Sequence, residues 1–141
     1  MIKKDAKFKN SIENLQSILN NKCNILSINN DYDPYYHPDA FFKYKEKHFI
    51  LEHSSSGDRK THIGEFLQAH LYAQYHNIEV NYILIIDNQH KTGPTAQREK
   101  KRLEYYKEKL KSKLLLHVFN ILEINDPDLL ASLINKIADT Y

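Results

Sequence analysis

Apolar residues recur at Phe8, Ile12, Leu15, Ile18 and Leu19 with Lys and Asn between them. That spacing predicts an amphipathic helix over residues 5–19, stopped by the Asn20–Asn21 pair. Ile25, Leu26 and Ile28 then mark a short strand over 24–28. Residues 29–38, with Asp31, Asp33, Pro34 and the cluster Tyr32, Tyr35 and Tyr36, read as turn. Two short apolar runs follow, Ala40-Phe41-Phe42 and Phe49-Ile50-Leu51, separated by the polar stretch Lys43 to Lys47. This predicts two strands joined by a solvent-facing turn, the second strand delivering Glu52. From 62 to 76 the apolar residues Ile63, Phe66, Leu67, Leu71 and Tyr75 return to a helical period. Residues 79–86 are β-branched and almost continuously apolar, as expected of a strand buried on both faces at the centre of a sheet. A loop over 87–94, a charged helix over 95–113, a strand over 114–124 and a helix over 127–137 with Asp126 as N-cap complete the chain. The order helix, three strands, helix, strand, helix, strand, helix is an α/β pattern, with helices on a mixed central sheet.

Composition narrows the class without naming a function. At 141 residues the chain reads as one domain over 1–141, long enough for a real core. Charged residues at 27% and hydrophobic residues at 41% are ordinary for a globular protein. A net charge of +2 names no partner. A single cysteine, Cys23, allows neither an intrachain disulfide nor a cysteine-rich zinc site, and no local signature marks it as a nucleophile. Three glycines cannot build a Gly-rich phosphate loop. Met1 to Asp5 is followed by no apolar run, and no apolar run approaches membrane-spanning length. The cytoplasm is therefore the expected compartment, with no membrane partner.

The candidate chemistry lies between His37 and Tyr72. Strand, turn and strand would bring Asp39 and Glu52 to the same end of neighbouring strands, where two carboxylates suit a hard divalent cation. The plainer reading of Asp39 is a turn residue after Pro38. Gln68 and Tyr72 are one helical turn apart and share a face, so Tyr72 reads equally as half-buried core. Glu65 reads as a solvated helix residue, with an acidic ligand from this helix as the alternative. The eight histidines show no H-E-x-x-H and read mostly as surface or interface residues. The 95–113 helix carries eight basic residues, among them Arg98, Lys101 and Arg102, against three acidic ones. With Tyr105 and Tyr106 it is either a solvated helix held by Glu–Lys pairs or a phosphate-contacting surface. Arg59 and Lys60 add positive charge near the carboxylates, but the sequence does not place the two groups side by side.

These residues resemble the PD-(D/E)XK nuclease superfamily, the restriction-endonuclease-like fold. Pro38-Asp39 is similar to the first half of its signature, and Glu52-His53-Ser54 sits where the (D/E)-X-K tripeptide belongs. Gln68-Ala69-His70-Leu71-Tyr72 is similar to the Q-x-x-x-Y element of the RecB-like branch, and Glu13 falls where several members carry a further acid. The resemblance implies a Mg²⁺- or Mn²⁺-dependent nuclease acting on DNA, and a homodimer if both strands are cut. Asp39, Glu52, the backbone carbonyl of His53 and Glu13 would bind metal. Gln68 and Tyr72 would support the site or touch substrate, and Arg59, Lys60, Arg98, Lys101 and Arg102 would contact nucleic acid.

The chain departs from the pattern at Ser54, which stands in place of the signature lysine. Strand alternation turns His53 away from Glu52, so Lys60 is the better candidate for the missing cation. The other reading is a catalytically inactive nuclease fold acting as a nucleic-acid or protein binding module.

Overall fold

The computed structural model describes residues 13–26, 33–54, 59–86, 96–120 and 127–140. Residues 13–18 are helical and form the described part of α1. Then come β1 (Asn24–Leu26), β2 (Ala40–Tyr44), β3 (Lys47–Ser54), α2 (Arg59–His76), β4 (Val80–Ile86), α3 (Ala96–Leu110), β5 (Leu114–Asn120) and α4 (Pro127–Thr140). The five strands lie in sequence order in one sheet. β1, β2 and β3 are antiparallel, whereas β3, β4 and β5 are parallel. The α/β class and the mixed sheet flanked by helices therefore stand as expected. The loop expected over 87–94, the cap at Asp126 and the strand end over 121–124 lie outside the described residues, as do the helix start before residue 13 and residues 27–32. Among the described residues no helix is long and apolar enough to cross a membrane.

Two cores sandwich the sheet. Leu15 and Leu19 from the α1 segment pack with Leu130, Ile134 and Ile137 of α4 over Phe42, Phe49, Leu51, Ile83 and Ile85. On the other face, Phe66, Ala69 and Ala73 of α2 and Leu103 of α3 cover Ile50, Tyr82, Leu84 and Leu116. Two successive crossovers of the same hand, β3-α2-β4 and β4-α3-β5, place both helices on one face. β4 is buried at every position, as its apolar run requires.

Three local expectations need correction. The polar stretch Lys43 to Lys47 is not all turn. The strands continue until Tyr44 faces Lys47, leaving only Lys45 and Glu46 between them. Both adopt positive φ, 49° and 67°, the tight hairpin geometry usually written with Asn or Gly. The α4 end secures the hairpin: Lys45 Nζ lies 2.9 Å from Asp139 Oδ1, and the Tyr44 hydroxyl donates to Asn135 Oδ1.

The buried face of α2 is also rotated from the apolar stripe. Leu67 and Tyr75 are 43% and 59% exposed, while His62, Phe66, Ala69, His70, Tyr72 and Ala73 face inward. Ala69 and Ala73 let the helix approach the sheet, and the two histidines find polar partners, so the apolar count misplaces the face. Three histidines also enter the core, while His37 and His76 are exposed and His48 and His53 half-buried. His62, His70 and His117 are buried, bonded to Glu99 (3.1 Å), Ser112 Oγ (2.9 Å) and Asn81 Oδ1 (3.1 Å). Finally, α3 stops at Leu110 rather than 113. Lys111 takes φ 51°, and the Ser112 amide bonds back to the Lys107 carbonyl, a left-handed helix stop.

Candidate functional site

The β2–β3 register pairs Ala40 with Leu51, and extending it by one residue sets Asp39 beside Glu52. Two bonds cross this junction. The Asp39 amide donates to Glu52 Oε1 at 3.1 Å, and the His53 amide donates to Asp39 Oδ2 at 2.7 Å. Glu52 follows Ile50 on the face covered by α2 and α3, and is 6% exposed. Ser54, also on that face by alternation, is buried, and His53 falls to the opposite face.

Glu65, in the second turn of α2, brings a third carboxylate to this junction. It is not the solvated residue expected. Its Oε2 is buried and has no hydrogen-bond partner among the described residues. Burial first, then the negative charge of Asp39, pushes the Glu65 carboxyl up to about 7. Burial, then Glu65, then Asp39, push Glu52 up to about 9, against the opposing bond from the Asp39 amide. The strain is that of negative charge collected out of water.

Two buried tyrosines adjoin the cluster, Tyr36 before the β2 strand and Tyr82 on β4. The charges of Glu52, Glu65 and Asp39 reach both phenols. Beneath them Tyr72 meets Phe41 edge-on with ring centres 5.3 Å apart, and Tyr36 at 6.5 Å. Tyr72 is thus aromatic floor, 8% exposed, and Gln68 is half-buried on the same helix. Glu65, Gln68 and Tyr72 follow one another at helical spacing along one face, and that periodicity could have identified Glu65. Tyr82 left one clue, a hydroxyl within a strand that is otherwise aliphatic except for Asn81.

The remaining candidates lie around this centre. Glu13 is exposed on α1, whose Leu15 and Leu19 enter the opposite core. Arg59 and Lys60 are exposed in the first turn of α2. Arg98 and Lys101 are exposed in the first turns of α3. The two helix starts are joined by the fully buried contact between His62 Nδ1 and Glu99 Oε2, and Arg102 Nη1 lies 3.2 Å from Glu99 Oε1. Both helices begin beyond the C-terminal ends of β3 and β4, the edge that also carries Asp39 and Glu52. The topology therefore puts the starts of both helices at the sheet edge that carries the carboxylates.

The donor set is all carboxylate oxygen, which suits Mg²⁺ or Mn²⁺ and not a soft metal. Among the described residues no group of three His, Cys, Asp or Glu side chains already stands in a chelating arrangement. Glu52 instead accepts from the Asp39 amide. Convergence, raised affinity for protons and an orphaned Glu65 oxygen together fit a place made for positive charge. No family model, no curated protein and no solved structure matches the chain.

Proposed function

We propose that the protein is a divalent-cation-dependent nuclease of the PD-(D/E)XK type, built on a restriction-endonuclease-like core and hydrolysing DNA phosphodiester bonds. The observation that carries this reading is the convergence of Asp39 and Glu52 across the β2–β3 junction with Glu65 buried against them. The order of elements supports it: helix, three-stranded meander, helix and parallel strand are the parts such a core uses.

Asp39, Glu52 and Glu65 would hold Mg²⁺ or Mn²⁺, with the His53 carbonyl as a further oxygen. A cation so held supplies Lewis acidity to the phosphate and lowers the pKa of an attacking water. The His53 amide fixes Asp39 through Oδ2. Gln68 and Tyr72, on the same α2 face as Glu65, would support the site. Arg59, Lys60, Arg98, Lys101 and Arg102 would receive the phosphate backbone at the same edge. Lys60 would supply the positive charge that Ser54 lacks, and Glu13 would act only through water or a second site. A homodimer would place two such centres on the two strands of a duplex.

One observation favours a second reading. Ser54 is buried beside Glu52 and can carry no charge, so the same fold could serve as an inactive binding module for nucleic acid or protein. Incubation with supercoiled and single-stranded circular DNA in Mn²⁺, Mg²⁺ or EDTA separates the two. Nicking in Mn²⁺ that EDTA stops, and that falls at least tenfold in Lys60→Ala, is the expected result. A folded protein that binds DNA and leaves it intact would establish the module instead.

A further inference from the structure

Tyr36 and Tyr82 form the inner wall of the carboxylate cluster. Tyr36 precedes Asp39 by three residues. Tyr82 lies on the α2/α3 face of β4 opposite Ile50, one same-face step before Leu84, the strand partner of Glu52. Their side chains are 1% and 0% exposed. Neither hydroxyl has a hydrogen-bond partner among the described residues, and neither has Glu65 Oε2. Burial first, then the neighbouring carboxylates, raise both phenols, so each is a neutral donor. Their rings are well seated. Tyr82 meets Phe66, the neighbour of Glu65, with ring centres 6.5 Å apart at 77°, and Tyr36 lies against Tyr72.

A buried hydroxyl without an acceptor is destabilising, and phenylalanine would fill either position without that penalty. The hydroxyls therefore call for a state of the site in which they are used. A bound cation would favour the ionised forms of Glu52 and Glu65, whose carboxylates offer more lone pairs than one cation would use. Those oxygens are strong acceptors for a neutral donor. Resting on the reading of this cluster as a divalent-cation site, we propose that Tyr36 and Tyr82 are positioning residues whose hydroxyls hold Glu52 and Glu65 in their cation-bound arrangement.

The test compares Tyr36→Phe and Tyr82→Phe with wild type in two measurements on full-length protein. One is Mn²⁺ affinity by calorimetric titration at pH 8; the other is Tm without metal. Each variant is expected to bind Mn²⁺ about tenfold more weakly, the usual scale for a group that supports a metal ligand. Its metal-free Tm is expected to stay level or rise, because an unsatisfied hydroxyl has gone. Wild-type Mn²⁺ affinity in the folded variants would overturn the inference alone. A wild-type protein that binds no Mn²⁺ would overturn the cation reading together with it.

Discussion

Replacing Glu52 with Gln is expected to abolish Mn²⁺-dependent nicking while making the metal-free protein more stable. Both effects come from the same carboxylate. Its pKa rises from the ordinary 4.5 to about 9 in the fold. The folded state therefore binds this proton more tightly than the unfolded chain does. Stability from the protonated form is fully present below about pH 4.5 and is lost as pH rises from there towards 9. At pH 7 the loss is on the order of 3 kcal/mol, at 1.36 kcal/mol per pKa unit. Glutamine keeps the uncharged shape at every pH and escapes the loss. Its Tm near pH 7.5 should exceed that of wild type by roughly 5–10 °C, and the fall in Tm between pH 5 and 9 should flatten. Glutamine cannot supply a charged ligand, so cleavage should drop about a thousandfold or more. Thermal melts across this pH range, with the nicking assay on the same preparations, check the two effects together. A Glu52→Gln protein less stable than wild type at pH 8 would mean that the carboxylate is satisfied as it stands.

The second large effect belongs to Glu99. Its side chain and that of His62 are fully buried, 3.1 Å apart, and Arg102 closes the group from α3. Glu99→Ala removes the acceptor facing His62 in a place water does not reach, and the side-chain oxygen facing the part-exposed Arg102. Breaking a buried pair in this way costs about 3–5 kcal/mol. Glu99→Gln retains an oxygen for His62 and should lose less than half as much. Urea unfolding, read as the midpoint at constant slope, measures both. The contact also fixes the start of α2 against the start of α3, and with them the basic residues of the two helix starts. Glu99→Ala protein assayed where it remains folded should therefore bind DNA more weakly. Equal stability of Glu99→Ala and wild type would show that the two helices are held by Phe66, Leu103 and their apolar neighbours alone.

What could be read from the sequence follows from the range of the interactions. The continuous apolar run of β4 and the two apolar runs ending near Asp39 and Glu52 are local signals, and the strands lie where those signals put them. The hairpin turn reads too wide because Lys45 and Glu46 are not the residues that usually take left-handed backbone, and their geometry is secured by α4, far along the chain. The α2 face was misread for a related reason. His62 and His70 are polar by type and buried by partnership, with Glu99 and Ser112 supplied from beyond β4. Glu65 and the tyrosines gain their meaning only when α2 and β4 fold over Glu52. A carboxylate looks solvated in sequence until the structure shows which other carboxylates surround it.

Cation binding tests the central claim most directly, because it requires no assumption about the polymer cut. Mn²⁺ should be titrated into the metal-free protein at pH 8 and followed by the loss of the free-ion paramagnetic resonance signal. Asp39→Asn, Glu52→Gln and Glu65→Gln should be measured beside wild type. The expected result is a saturable site in wild type, weakened at least tenfold in each variant while the variants stay folded. Wild type that leaves millimolar Mn²⁺ free, or variants that bind as wild type does, would contradict the assignment of these three carboxylates as one cation site.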